Sequence, residues 1–202
     1  MKKDYTHICV VLDASGSMDS IKEDVKGSIR DFVASQRGLP GEIRFDVYQF
    51  SDVAEHIADS SSLDEAASLM DERYHCSGTT ALYDAVCIAI DELGVKFASM
   101  QEYERPEDVV FVIFTDGYEN ASRTYRNADV MERIKRQTEV YSWRFIFLGA
   151  EINAEQAAQD VGIASACACS FARDETRDAV FNVISNEMEE IALERVERRK
   201  KR

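Results

Sequence analysis

Long apolar runs, basic patches, prolines and paired cysteines are all scarce in this sequence. No stretch approaches the roughly 18 apolar residues that a membrane span requires. No export leader is expected either, because Lys2-Lys3 is followed at once by Asp4 and the apolar run before Asp13 is about six residues, under the roughly seven of a signal sequence. Lysine and arginine number 24 against 38 acidic residues, for a formal charge of −14. Phosphate contacts need clustered cations, so a general nucleic-acid binder is excluded. The one basic cluster is Arg195 with Arg198-Arg199-Lys200-Lys201-Arg202. It is expected to end a helix, where cations suit the dipole, with a nucleic-acid or partner-docking tail as the alternative. Five cysteines, odd in number and without framework spacing, exclude a disulfide scaffold and point to reduced thiols in the cytoplasm. With two prolines in 202 residues and 45% hydrophobic content, nothing divides the chain, and no linker, repeat or low-complexity segment is found. A single domain over 1–202 is expected, with a core of about 4–192 and a basic helical tail at 193–202. None of these features sets the oligomeric state.

What the sequence does contain is an alternation of strand and helix. Residues 7–12 are apolar on both faces, as in a central parallel strand covered by helices on either side. They run directly into Asp13-Ala14-Ser15-Gly16-Ser17, a carboxylate and two hydroxyls spaced by small residues, at the strand end where open α/β sheets bind ligands. Residues 20–37 place Ile21, Val25, Ile29, Phe32 and Val33 at helical spacing, and Gly38-Leu39-Pro40-Gly41 ends that helix. Residues 42–51 alternate, with Ile43, Phe45 and Val47 on one face. Only Ser51-Asp52 separates them from a second strand at 53–58. That gap is too short for a crossover, so a hairpin with an antiparallel edge strand is expected.

Ser62, with Glu65 at the capping-box position, opens a short helix to about Met70. After an irregular stretch at 71–80, residues 81–100 carry Leu82, Val86, Ile90 and Leu93 as a second crossover helix. Residues 109–114 form the most apolar strand, ending in Thr115-Asp116-Gly117. A helix at 130–140, a strand at 143–149, a helix at 153–160, a weak strand at 164–170 and a long helix at 174–198 follow. The whole predicts a Rossmann-like, doubly wound sheet of about six strands, mostly parallel, with helices on both faces.

Three loops, 13–17, 77–80 and 115–120, should therefore meet at one crest of the sheet. They offer oxygens without His or Cys, the donor set of a hard cation such as Mg²⁺, which takes about six oxygens and keeps several waters. Asp13 and Asp116 would repel by roughly 4 kcal/mol at 4 Å with an effective dielectric of about 20. A divalent cation reverses that sign. If the neutral hydroxyls of Ser15, Ser17 and Thr80 are the direct ligands, the ion keeps much of its charge and seeks an outside anion, such as a Glu or Asp of a partner protein.

Asp13-Ala14-Ser15-Gly16-Ser17, Ser77-Gly78-Thr79-Thr80-Ala81-Leu82-Tyr83-Asp84-Ala85 and Phe114-Thr115-Asp116-Gly117 together resemble the von Willebrand factor type A domain and its metal-ion-dependent adhesion site, D-x-S-x-S…T…D. All three parts occur in order. The resemblance covers nearly the whole chain and is to the stand-alone intracellular prokaryotic or phage kind of that family. It implies direct metal ligation by Ser15 and Ser17, ligation by Thr80 in the ligand-bound state, and roles through water or hydrogen bonds for Asp13 and Asp116. Thr79 is the alternative to Thr80, which stands four residues before Asp84. The cofactor implied is Mg²⁺, with Mn²⁺ or Ca²⁺ as alternatives. The function implied is a metal-dependent protein-interaction module without catalysis.

Two other functions compete with it. One is a metal-independent scaffold in a larger assembly, with an ATPase partner as several intracellular relatives have. The other is a Mg²⁺-dependent phosphoryl-transfer enzyme or hydrolase, against which Ser15 stands where a second carboxylate is usual and no Lys follows in the metal loops. The serines could also serve only as helix caps. Tyr118, Glu119, His75 and Thr79 are expected at the partner-binding rim, with Asn120 beside them. His7, His56 and His75 are scattered and assemble no Ser-His-Asp order. Cys167 and Cys169 read as small-residue packing more than as a metal or redox pair.

Overall fold

The central strand β1 (Lys2–Asp13) is buried from Tyr5 to its end. It begins earlier than its apolar run because Lys2 already pairs across to Pro106. The structure, a computed structural model, describes residues 1–37 and 39–201. Gly38, in the expected stop after the first helix, and Arg202, at the end of the basic cluster, lie outside the described residues.

β1 pairs in parallel with β2 (Glu42–Phe50) on one side and β4 (Pro106–Thr115) on the other, with Val10 opposite Val47 and Val112. β3 (Ala54–Ser61) is the antiparallel edge strand of the expected hairpin, closed by a bond from the Ser51 N–H to the Val53 carbonyl of 3.2 Å. β5 (Arg144–Ala150) and β6 (Ala168–Phe171) complete a six-stranded sheet in the order β3-β2-β1-β4-β5-β6. β6 is shorter than the stretch 164–170 because Ser165–Cys167 close into a 3₁₀ turn. Cys167 and Cys169 thus do not sit together on one strand, and all five cysteines are free.

The period of two along β1 sorts its residues between two cores. Ile8, Val10 and Leu12 pack under α1 (Lys22–Gln36), α2 (Leu63–Arg73) and α6 (Thr176–Lys200), where Phe32, Met70 and Ile184 are buried. Cys9 and Val11 pack under α3 (Leu82–Ser99), α4 (Asn127–Tyr141) and α5 (Ala154–Asp160), with Ile90, Ile134 and Ala158. A central strand apolar on both sides thus becomes the floor of two layers, each fully buried Ile or Phe contributing about 2–3 kcal/mol. The same holds for β2, whose second face, with Asp46 and Tyr48, is buried rather than solvated as strict alternation would suggest.

The Ser62–Glu65 capping box forms as expected, but α2 runs on to Arg73, whose side chain reaches the Ile57 carbonyl at 3.3 Å. α6 extends to Lys200 and is not a free tail at its end. Arg195 is buried, donating to Asp108 (2.7 Å) and to the Thr6 hydroxyl (2.8 Å). Arg198 holds the other Asp108 oxygen at 2.9 Å. Specific carboxylates at the foot of the sheet bind these cations in addition to any favourable helix dipole. Among the described residues, no helix is long and apolar enough to cross a membrane.

Candidate metal site

The chain leaves β1 toward β2 on one side and reaches β4 on the other, so the crest between β1 and β4 is the switch point of the sheet. Asp13 is the last residue of β1 and fully buried. One of its carboxylate oxygens accepts the Ser15 N–H at 2.7 Å, and the other accepts the Thr115 hydroxyl at 2.6 Å. Burial pushes this carboxyl upward; the bonds from Thr115 and Ser15 oppose that, and the nearby Asp116 adds to it. Beyond Asp13 the chain turns into a 3₁₀ helix, Gly16–Ser20, which carries Ser17. The Ser15 and Ser17 hydroxyl oxygens are 3.1 Å apart, and Ser17 donates to Asp116 at 2.6 Å.

The middle loop is stitched to both others. The Ser77 N–H donates to the Ala14 carbonyl at 2.7 Å and the Gly16 N–H to the Gly78 carbonyl at 3.2 Å. Gly78 is required here: its φ is +78°, and a Cβ would meet Asp52 Oδ2 at 2.5 Å. Thr80 exchanges backbone bonds with Asn120, accepting its N–H at 3.0 Å and donating to its side-chain oxygen at 2.9 Å. Thr80 is buried with its hydroxyl beside Gly117, whereas exposed Thr79 turns its hydroxyl to Asp52. Asp13, Ser15, Ser17, Thr80 and Asp116 therefore share one crest. The two carboxylates are held by protein donors, and Ser17 gives its hydrogen to Asp116, which leaves Ser15 and Ser17 with unshared oxygen lone pairs. That arrangement fits a hard divalent cation.

The rim residues divide. Tyr118 and His75 are exposed. Glu119 turns inward and caps α3: its oxygens accept the N–H groups of Tyr83 (2.9 Å), Ala121 (2.8 Å) and Ser122 (2.7 Å). A residue the sequence did not single out stands at the crest. Arg173, in the turn Arg173–Glu175 that leads into α6, donates to Asp116 Oδ2 at 2.8 Å, to the Ser17 carbonyl at 3.0 Å and to the Ser20 hydroxyl.

A second polar cluster lies under the β2–β3 edge. Buried Asp46 accepts from His7, from His56 Nε2 (2.6 Å) and from Lys96, whose ammonium is 3.0 and 3.1 Å from its two oxygens. Tyr5 donates to the other His7 nitrogen at 2.8 Å. Asp46, His56 and Asp59 bring ligand atoms within 4.8 Å of one another, but Lys96 is seated between the two carboxylates. Burial would raise the Asp46 carboxyl; donation by His56 and His7 and the charge of Lys96 overcome it and hold the group well below the usual range. Alternation along β2 would turn Asp46 to solvent, so this cluster emerges only once α3, which carries Lys96, covers that face. A cavity of about 760 Å³ lined by Ile90, Phe97 and Trp143 contains none of the predicted metal-site or rim residues.

A model of the von Willebrand factor type A domain matches residues 7–191. Proximal thread matrix protein 1 from mussel byssus superposes with a TM-score of 0.72 at 14% identity, covering 91% of this chain and 48% of that one. The same mussel protein with a zinc-occupied metal-ion-dependent adhesion motif gives 0.69 at 14% identity over 91% and 48%. The von Willebrand factor domain of the type V pilus tip protein Mfa5 from Porphyromonas gingivalis gives 0.64 at 7% identity over 91% and 95%. The chain spans about half the length of the mussel structures it matches. A search of curated proteins finds no match. Because the family match runs from within β1 to beyond the middle of α6, the chain belongs to the von Willebrand factor type A domain family.

Proposed function

We propose that this protein is a non-catalytic interaction module that holds a divalent cation, Mg²⁺ or alternatively Mn²⁺ or Ca²⁺, at its crest and through it a Glu or Asp of a partner protein. The observation that carries this reading is the hydrogen-bonded row Ser15–Ser17–Asp116, at 3.1 and 2.6 Å, beside the anchored Asp13. Ser15 and Ser17, with Thr80 once a partner is engaged, would hold the ion; Asp13 and Asp116 orient the hydroxyls and supply the charge that attracts it. When bound, the cation supplies a Lewis-acidic centre on which an incoming carboxylate is held. Tyr118, His75 and Thr79 are exposed, and in this reading they would rim that position and contact the partner's neighbouring residues. The zinc-bearing motif of the mussel protein and the pilus-tip role in the name of Mfa5 support an interaction role for a fold of this kind. The cytoplasm is the compartment proposed, from five free thiols.

Metal-independent scaffolding is the second reading, favoured by the Arg173 ion pair, which already neutralises Asp116. Calorimetry with Mg²⁺ or Mn²⁺ separates the two: the metal-dependent module binds the ion, and Asp13→Ala or Ser15→Ala abolishes the heat. A titration unchanged by both substitutions removes the site assignment. A partner retained on immobilised protein with Mg²⁺ and released by EDTA supports docking, whereas phosphatase turnover without a partner would favour an enzyme.

A further inference from the structure

The side chains of Asp13 and Asp116 are both enclosed at the crest but differently compensated. Asp13 is held by neutral donors only, the Ser15 N–H and the Thr115 hydroxyl. Asp116, its side chain without exposure, faces the Ser17 hydroxyl on one oxygen and a full positive charge, Arg173 at 2.8 Å, on the other. Arg173 comes from a turn remote in sequence, and about a third of its side chain is exposed. Its other bonds go to the Ser17 carbonyl and the Ser20 hydroxyl, groups at the surface that water can satisfy. The guanidinium is therefore attached to the site but not embedded in it, unlike Lys96, which lies between two carboxylates.

We propose that Arg173 is a resident counter-cation of the metal site: it competes with the divalent ion for Asp116 and thereby sets the metal concentration at which the site fills. The inference rests on reading the crest as a metal site. Two carboxylates and one guanidinium present a net charge of −1 to an arriving ion; without Arg173 they present −2. A second effect has the same sign, since an ion drawing on Asp116 must do so against a donor already bonded to it. If Arg173 served only to hold the loop in shape, its removal would loosen Ser17 and weaken metal binding. The two roles thus predict opposite signs.

The test is calorimetric titration of the full chain with Mg²⁺ and Mn²⁺ in the wild type, Arg173→Gln and Arg173→Lys, with thermal melting of each to establish folding. Arg173→Gln should bind about tenfold tighter, equivalent to about 1.4 kcal/mol. Arg173→Lys keeps the charge and should remain within about threefold of the wild type. Metal binding by the wild type with unchanged or weaker binding by Arg173→Gln overturns the proposal while leaving the metal site intact. So does an equal shift in both variants, which would mean that the fork geometry matters and the charge does not. Absence of binding in all three proteins removes the metal-site reading itself, and this inference with it.

Discussion

Replacing Asp46 by Ala should be among the more damaging single changes outside the apolar core, although Asp46 is far from the crest in function. Asp46 is fully buried and takes bonds from His7, His56 and Lys96. After truncation the consequences differ by donor. Lys96 keeps Asp59, and both Lys96 and His56 are about a quarter exposed, so water can replace what they lose. His7 has no exposure, and its N–H would be stranded beneath Phe97. An unsatisfied buried donor costs about 1–3 kcal/mol, and removing one member of a buried ion pair costs about 3–5 kcal/mol when the other stays trapped. Lys96 is not trapped, so the total is set at about 2–4 kcal/mol, a fall in melting temperature of roughly 5–15 °C for a chain of this size.

Asp46→Asn keeps an acceptor for His56 and should lose about half as much. Differential scanning calorimetry in EDTA isolates the effect from any metal. The pH dependence carries a sign. The folded carboxyl is held below its ordinary value, so the stability it contributes is complete above the unfolded-state value of about 3.9 and is lost as pH falls toward the folded one. The gap between wild type and Asp46→Ala should therefore be constant near neutrality and narrow below about pH 4. A variant melting within a degree of the wild type, or a gap that widens in acid, would refute the reasoning.

Mg²⁺ at a hundred times its dissociation constant should raise stability by about 2.7 kcal/mol, roughly 5–11 °C of melting temperature. Asp13→Asn should abolish that shift with little loss of metal-free stability, because the wild-type carboxylate is buried against neutral donors. Gly78→Ala forces a side chain into a φ of +78° against Asp52 and should cost about 1–3 kcal/mol; calorimetry should show metal affinity falling with it, as Thr80 shares that loop. Arg195→Met leaves buried Asp108 with Arg198 alone and should cost about 2–4 kcal/mol, read as a lower urea midpoint from the single tryptophan, Trp143. A midpoint unchanged in Arg195→Met would mean that the end of α6 docks through its apolar side chains.

Some of this architecture is legible residue by residue along the chain. The alternation of an apolar run with amphipathic stretches identifies the sheet and its helices, because periods of 2 and 3.6 are imposed by local backbone geometry. Two intervening residues, Ser51 and Asp52, suffice to predict the antiparallel edge, because no crossover fits in that length. The motif residues Asp13, Ser15, Ser17, Thr80 and Asp116 are readable for the same reason: each sits at a fixed offset from a strand end or helix start, and parallel strands deliver those ends to one crest. Contacts between residues distant in sequence and unrelated by period are not readable that way. Arg173 reaches Asp116 across 57 positions, His7 reaches Asp46 across 39, and Arg195 reaches Asp108 across 87. Each depends on strand register and on which helix covers which face. Burial then makes the pairing decisive: once a carboxylate is enclosed, the cheapest compensation is whichever cation the fold has brought within reach, and local sequence carries no record of that distance.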